Sequence, residues 1–500
     1  MRGGRGRGEE MGDEDRNYSL DEALVAVGFG NFQFFVLLYA GMGLVSEAME
    51  MMLLSFIGPA VQAAWGLSSH EESLLTTVVF AGMLVGTYAS GIVSDNFGRR
   101  KGFLFTALVT AGAGLLSAFA PNFISLVILR CVVGIGLGGG PVLSSWFLEF
   151  IPASNRGTWM VVFSGFWTLG TIFEASVAWF VMPTMGWRWL LAFSAVPSSL
   201  LLLFYGLTPE SPRYLCNKGR TNDAQNILEK VASMNKKKLP LGVLIHGHQI
   251  ELQEKLDTSE DIHLLSPEKG EDIPPDVTDS NNKGSSSVFM LFSPELVRST
   301  LLLWVTFFGN AFSYYGLVLL TTEMNNGHNK CTVTAVNSKK ASQDVSYADV
   351  FITSFAEVPG LFLSAAIVDK FGRKLSMSAM FFICCIFLLP LVFHQSPSLT
   401  TGLLFGARIC ITATFTIVYI YAPEIYPTSV RTTGVGVASS VGRIGGMICP
   451  LVAVGLIHSC HQTAAILLFE VVIFLSGTSV LFFPFETKGR ELSDRVIQNR

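Results

Sequence analysis

The chain has 500 residues, of which 50% are hydrophobic and 14% are charged, and its formal net charge is −4. Soluble chains average about 25% charged residues, so this chain has too few to cover a soluble surface of its length. The composition excludes a secreted disulfide scaffold, a coiled coil, a disordered chain and most soluble enzymes, and it predicts an all-α polytopic membrane protein. The net charge argues against a nucleic-acid partner, because no basic surface is left over for phosphates.

The chain divides into tails, apolar spans and one long polar loop. Residues 1–28 are polar and contain no apolar core, so we predict a cytoplasmic tail rather than a signal peptide. Apolar windows of about 19 residues predict spans near 30–58, 74–94, 102–119, 122–147, 158–182, 187–206, 299–322, 347–368, 375–393, 398–421, 430–456 and 463–484. The predicted units are a tail (1–28), a six-helix bundle (29–207), a central cytoplasmic loop (208–297), a second six-helix bundle (298–485) and a tail (486–500).

The central loop is predicted to contain one amphipathic helix and one linker. Thr221 can cap a helix in which Ala224, Leu228 and Val231 share an apolar face. Residues 257–287 have a composition typical of a flexible linker.

Lysine and arginine predict the orientation in the membrane. The cationic segments 99–101, 236–238 and 370–374 all fall on one side, and cytoplasmic loops carry the excess of Lys and Arg. Both termini are therefore predicted to be cytoplasmic, in the plasma membrane or alternatively in a vacuolar or other internal membrane. Cys331 and Cys460 fall on the other side, where a disulfide between them is one alternative.

The second half of the chain repeats charged motifs of the first half. The loop after span 2 reads Gly91-x-x-x-Asp95-x-x-Gly98-Arg99-Arg100, and the loop after span 8 reads Ala365-x-x-x-Asp369-x-x-Gly372-Arg373, 274 residues later. Further matches at offsets of 278, 275 and 276 residues are Arg130 with Arg408, Glu149 and Arg156 with Glu424 and Arg431, and Glu210 (near Arg213) with Glu486 (near Arg490). These offsets indicate one ancestral half that was duplicated.

This set of paired motifs resembles the major facilitator superfamily from about residue 20 to about residue 495. The runs 39–55, 130–141, 157–163 and 419–427 are similar to its branch related to synaptic vesicle protein 2, which includes plant organic cation/carnitine and nicotinate transporter-like proteins. The resemblance implies two pseudo-symmetric six-helix bundles with a substrate site between them at mid-depth. It also implies transport of a small charged organic molecule.

The motif residues fit a latch on the cytoplasmic side. The loop arginines can pair with Glu149, Glu210, Glu424 and Glu486, and such pairs are expected to close the inside of the outward-facing state. The alternative is that these charges only set the topology. Arg130 and Arg408 occupy equivalent positions in the two halves, so we predict structural or gating roles for them.

Ionisable groups at bilayer depth are costly and are therefore functional candidates. The candidates for substrate binding or coupling, together with neighbouring polar and aromatic residues, are Glu47, Glu50, Trp167, Glu174, Asn310, Tyr314, Tyr315, Glu357 and Arg443. Arg443 is predicted to hold a substrate carboxylate, since a guanidinium binds carboxylates in a fork geometry. Glu47 and Glu50, three residues apart, are the leading proton-coupling or cation-binding pair, and the aromatic residues can stack on a ring or face an ammonium. The alternative is that these charges tie the bundle together.

The favoured function is a secondary transporter of an organic cation, carnitine or nicotinate, with protons or another cation as coupling ions. A receptor or trafficking protein and a sugar-type porter are the alternatives. No Walker motif, cofactor site or catalytic constellation is present, so we predict neither an enzyme nor a cofactor. Gly134-x-Gly136-x-x-Gly139 has no preceding strand, and it is predicted to serve helix packing. His458 and His461 have no second ligand pair for a metal.

Overall fold

The computed structural model describes residues 17–152, 156–244, 289–331, 347–393, 395–426, 430–458 and 461–488. Within these ranges, twelve helices are long and apolar enough to cross a membrane. The first six spans are Asn31–Trp65, Ser69–Phe97, Arg99–Ala118, Phe123–Leu148, Thr158–Val181 and Trp187–Leu207. The second six are Val297–Thr322, Tyr347–Val368, Arg373–Val392, Pro397–Ile425, Thr433–Ile457 and Gln462–Leu481. The all-α membrane fold is confirmed, and each predicted span overlaps an observed one.

Several spans are interrupted where glycine or proline weakens the helical hydrogen bonding. Span 4 consists of Phe123–Leu137 and Gly140–Leu148. Pro141 has no N–H to donate to the carbonyl of Leu137, and this missing donor accounts for the break. Span 6 is divided into Trp187–Ser194 and Val196–Phe204, and span 8 into Tyr347–Phe355 and Glu357–Phe371.

Glycines let spans 2 and 4 approach closely. A Cβ on Gly134 would lie 2.1 Å from the carbonyl oxygen of Val79, and a Cβ on Gly82 would lie 2.2 Å from that of Cys131. Any side chain at these two positions would force the helices apart. The glycine run of span 4 therefore serves helix packing, and this prediction is confirmed.

A small extramembrane unit joins the N-terminal tail to the central loop. It contains α1 (Leu20–Val27), α2 (Pro212–Asn217), α3 (Thr221–Asn235) and a parallel pair of two-residue strands, β1 (Asn17–Tyr18) and β2 (Val243–Leu244). Buried Leu24, Leu215 and Leu228 form its core. The predicted helix is present, but its N-cap is Arg220, one residue before the predicted cap, and no side chain bonds there.

The extramembrane unit is fastened to the first bundle. Asn235 at the end of α3 accepts a hydrogen bond from the backbone N–H of Phe32 at 2.9 Å and donates one to Gln33 at 2.7 Å. Phe29 stacks on Trp159 at the start of span 5, with ring centroids 3.5 Å apart. The apolar face of α3 is thus covered by protein.

Spans 1–6 and spans 7–12 form two bundles, which meet through spans 2 and 11, 5 and 8, and 1 and 7. We call the membrane face that carries residues 98–101 and 372–374 the motif side. Contacts between the bundles lie toward the opposite side: the rings of Phe56 and Tyr347 are 6.1 Å apart, and those of Trp179 and Phe351 are 5.5 Å apart. These rings close the interface at that end.

Candidate functional site

A buried ion pair lies inside the first bundle. Arg130 of span 4 donates to Glu50 of span 1 at 2.8 Å, and both side chains are 0% exposed. The Nε of Arg130 also donates to Ser117 of span 3 at 3.2 Å. One oxygen of Glu50 and one nitrogen of Arg130 have no hydrogen-bond partner among the described residues. The pair therefore joins three spans and retains unused hydrogen-bonding capacity.

Glu174 of span 5 adds a second carboxylate to this centre. It accepts a hydrogen bond from Ser194 of span 6 at 2.7 Å, and its other oxygen has no partner in the described part of the chain. Glu174 is buried within electrostatic range of Glu50 and Arg130. Two carboxylates and one guanidinium leave one negative charge uncompensated, and a buried centre of this kind can take up a proton.

A second buried centre lies at the interface between the bundles. Arg408 of span 10 donates to Glu357 of span 8 at 2.8 Å. Tyr314 of span 7 donates to the same carboxylate at 2.6 Å, and Thr171 of span 5 donates to its other oxygen at 3.0 Å. Trp167 of span 5 donates to the Tyr314 hydroxyl at 2.8 Å. Glu357 thus ties the first bundle to the second, so we call these five side chains the Glu357 centre.

Glu47 and Arg443 bring opposite charges to the interface from different bundles. Glu47 lies against Gly140, where a Cβ would be 2.7 Å from its carboxylate. Glu47, Tyr315 and Arg443 are within electrostatic range of one another. The Nη1 of Arg443 is buried and has no hydrogen-bond partner among the described residues. Glu47 and Glu50 were predicted to act as a pair, but the structure gives them separate surroundings.

Aromatic rings line the second bundle beside Arg443. Tyr314 and Phe415 have centroids 5.1 Å apart, and Phe415 and Tyr419 have centroids 5.4 Å apart. Tyr315 meets Phe80 of the first bundle edge-on at 4.7 Å. The candidate Asn310 instead accepts a hydrogen bond from Thr414 at 2.8 Å within the second bundle.

The motif-side ion pairs close within each bundle. Arg99 bonds Asp95 and, at 3.2 Å, Glu149. In the second bundle Arg373 lies 3.3 Å from Glu424. These described pairs do not join one bundle to the other, so in this arrangement they brace the loops of their own half.

Gly98 and Gly372 have matching roles that explain the repeated motif. Both have positive φ, at 110° and 88°. The backbone N–H of Arg100 donates to Glu210 at 3.1 Å, and those of Arg373 and Lys374 donate to Glu486 at 2.8 and 2.9 Å. The two glutamates were predicted to pair with arginine side chains. They instead cap the first turns of spans 3 and 9, where helix N–H groups favour a negative charge.

The described family "Sugar (and other) transporter" matches residues 39–495. The chain belongs to this family. It is therefore a multi-pass transporter of the major facilitator superfamily and not an enzyme. It is 65% identical over 490 residues to organic cation/carnitine transporter 7 of Arabidopsis thaliana, covering 97% of this chain and 98% of that protein. It is 36% identical over 491 residues to a synaptic vesicle 2-related protein of Xenopus laevis, covering 96% and 83%.

Solved structures agree on the fold of this sugar-type transporter. The xylose transporter XylE of E. coli, in a partially occluded inward-open conformation, has a TM-score of 0.67 at 18% identity, covering 92% of this chain and 99% of that one. The proton:xylose symporter XylE bound to a bromodeoxyglucose has a TM-score of 0.63 at 19% identity, covering 92% and 97%. At such low identity the likeness shows the fold alone.

The remaining candidates of the transporter have local partners or lie outside the described residues. Arg213 pairs with Asp21 of α1, and Arg431 donates to the Tyr426 carbonyl at 3.3 Å. The candidates outside the described side chains are Arg156, Asp369, Arg490, Cys331 and Cys460, together with the predicted linker 257–287. Sequence reasoning missed Ser117, Thr171 and Ser194, because hydroxyl side chains are common in apolar spans and usually bond their own helix.

Replacing Gly98 by alanine is expected to destabilise the transporter by about 1–3 kcal/mol, the cost of a strained backbone conformation. The added Cβ would lie 2.3 Å from the Glu210 carboxylate as well as forcing a positive φ on alanine. Thermal unfolding of the purified protein measures the loss. Gly91→Ala is the matched control, because no atom lies within 4 Å of its Cβ position. Equal melting temperatures for the two variants would contradict the assigned role of Gly98.

Proposed function

We propose that the chain is a proton-coupled transporter of a small organic ion that bears a carboxylate, of the carnitine or nicotinate type. The observation that carries the proposal is the buried, unpartnered Nη1 of Arg443, placed at the bundle interface within electrostatic range of Glu47. The printed name of the 65% identical relative supports the same substrate class. Alternating exposure of this interface moves the substrate.

Arg443 is the group that selects for a carboxylate. A guanidinium buried without its full set of hydrogen bonds loses free energy, so a ligand that supplies acceptor oxygens is favoured. A planar carboxylate matches the guanidinium with two parallel bonds. Tyr419 and Ser439 lie on the same side of the second bundle, with their hydroxyls 3.5 Å apart.

The remainder of the substrate faces aromatic rings and one acid. The rings of Tyr314, Tyr315 and Phe415 offer faces to a pyridine ring or a quaternary ammonium. Glu47 adds a negative charge on the first bundle. A zwitterion satisfies both charges, whereas an aromatic carboxylate satisfies Arg443 and stacks on the rings.

Protons couple to transport through Glu50, Glu174 and Arg130. The two carboxylates share one guanidinium inside the first bundle. A proton on either acid neutralises the uncompensated charge and weakens the hold on Arg130. Spans 1, 3, 4, 5 and 6 all contribute to this centre, so protonation can change how these helices pack.

The motif side is the cytoplasmic side in this proposal, because it carries the excess of Lys and Arg. Both termini then lie in the cytoplasm, in the plasma membrane or a vacuolar membrane. Phe56, Tyr347, Trp179 and Phe351 close the opposite face. The structure then corresponds to a state closed toward the outside.

Uptake of radiolabelled carnitine and nicotinate into vesicles containing the purified protein tests the proposal. We expect one of them to accumulate above equilibrium when an inward proton gradient is imposed and to leak away when the gradient is collapsed. Vesicles without protein are the control. Absence of uptake of both by folded protein would refute the substrate class, and uptake that ignores the gradient would refute proton coupling.

Arg443→Lys is expected to reduce uptake of carboxylate substrates by about tenfold or more, since a bidentate charged contact contributes about 1.5–3 kcal/mol. A quaternary ammonium without a carboxylate is the matched substrate, and its transport is expected to change less. Competition of each compound against the transported label measures both affinities. Equal losses for the two classes would remove Arg443 from carboxylate binding.

A further inference from the structure

A small cavity lies inside the first bundle, beside the break in span 4. It has a volume of about 40 Å³ and is lined by residues of spans 1, 3, 4 and 6. A cavity needs roughly 10–15 Å³ to hold one water molecule, so there is room for an ion with a water. All of the lining residues belong to one bundle, and the cavity is therefore separate from the interface between the bundles.

The cavity is lined by oxygen atoms that the protein does not use elsewhere. Ser46 and Thr110 are 3% and 5% exposed, and neither hydroxyl bonds another described residue. By contrast, Thr106 and Ser198 in the same wall bond the carbonyls of Phe103 and Ala195 in their own helices. A buried hydroxyl without a partner costs free energy, so the first pair calls for a ligand.

Span 4 supplies a backbone oxygen to the same place. Leu137 ends the first segment of the span and lines the cavity. Its carbonyl has no helical partner, because the residue four positions later is Pro141. Interrupted membrane helices bind coupling ions through such unwound carbonyls.

Glu47 gives the cavity its negative charge. Its carboxylate lines the cavity against Gly140 and has no hydrogen bond to a described residue. The opposite charge within electrostatic range is Arg443 of the other bundle, which moves away whenever the bundles separate. The carboxylate, the two hydroxyls and the carbonyl all belong to the first bundle and stay together.

We infer that this cavity is a binding site for a small monovalent cation of the sodium class. Glu47, Ser46, Thr110 and the Leu137 carbonyl are its protein ligands, and a water completes the shell. Hard cations take oxygen ligands of these kinds. A single carboxylate matches one positive charge, and among the described residues no cluster of three His, Cys, Asp or Glu side chains is placed to hold a metal.

The site goes beyond the proposed function, because ion binding is measured without any transported substrate. A failure of the ion test leaves the carboxylate assignment of Arg443 untouched, and a failure of carnitine and nicotinate uptake leaves the ion site untouched. If both hold, sodium bound beside Glu47 adds a second coupling ion to the proton.

Binding of radioactive sodium ion to the full-length protein in lipid nanodiscs tests the site. We expect saturable binding that unlabelled sodium displaces and choline does not, with a parallel rise in melting temperature at constant ionic strength. Glu47→Gln is expected to abolish binding. Thr110→Val and Ser46→Ala are each expected to weaken it about fivefold, the effect of one lost hydrogen-bond-sized contact.

Glu470→Gln is the matched control, because Glu470 is an acid at bilayer depth in span 12 that does not line the cavity. Sodium binding by this variant should equal that of the unmodified protein. Loss of binding in Glu470→Gln, no saturable binding at all, or full binding by Thr110→Val and Ser46→Ala would each overturn the site. Acidification without sodium that reproduces the same rise in melting temperature would assign the cavity to a proton instead.

Discussion

Arg130→Met is expected to lower the free energy of unfolding by about 3–5 kcal/mol, the cost of leaving a buried charge without its partner. Glu50 is 0% exposed and loses its only ion-pair partner in the described structure. The double variant Glu50→Gln, Arg130→Met removes both charges and is expected to recover most of that loss, because neutral side chains carry no such desolvation cost. Thermal unfolding of both variants in the same nanodiscs measures the difference.

The double variant also separates a structural tie from a coupling role. If Glu50 and Arg130 take part in proton coupling, the stable double variant equilibrates substrate but does not accumulate it against a gradient. Ser117→Ala, which removes only a neutral partner of Arg130, should retain accumulation. Gradient-driven accumulation by the double variant would show that the pair is purely structural.

A cross-link between cysteines introduced at positions 56 and 347 is expected to reduce uptake to background. Phe56 and Tyr347 belong to different bundles and their rings are 6.1 Å apart, so a short thiol cross-linker holds the face opposite the motif side shut. Alternating access requires this face to open. Reduction of the cross-link is expected to restore uptake, which radiolabelled substrate measures before and after.

The pair Trp65 and Trp187 provides the control for this cross-link. Their rings are 5.4 Å apart at the same end of the membrane, but both belong to the first bundle. Cysteines cross-linked at those positions should leave uptake unchanged, because a bundle moves as a unit. Equal inhibition by both cross-links, or none by the first, would contradict closure of the interface at Phe56 and Tyr347.

The fold was predictable because its causes are local. Long apolar windows set the spans, and the repeated motifs set the division into halves. The extent of span 1 was less accurate: the prediction stopped at residue 58, whereas the helix continues through Pro59 to Trp65. Burial of that helix outweighs the lost hydrogen bond, and an apolar window does not reveal it.

The site was predictable in its residues but not in its pairings. Glu47 and Glu50 are three residues apart, which places them about 60° from each other around a helix of 3.6 residues per turn. That rotation is enough to point one at a cavity by Gly140 and the other at Arg130. Arg130 and Arg408 are equivalent by duplication, yet their acids come from spans 1 and 8, which are not equivalent. Such partners follow from tertiary packing.

The closed ion pairs of the motif side have a consequence for the energy of the transport cycle. Because Arg99, Glu149, Arg373 and Glu424 find partners within their own bundle, the two halves can rotate apart at that end without breaking those bonds. The polar cost of reorientation is then concentrated at the Glu357 centre, which shares hydrogen bonds between both halves. A single carboxylate near mid-membrane thus sets the activation barrier, and the rate of turnover responds to its hydrogen bonds more than to the charges at the surface.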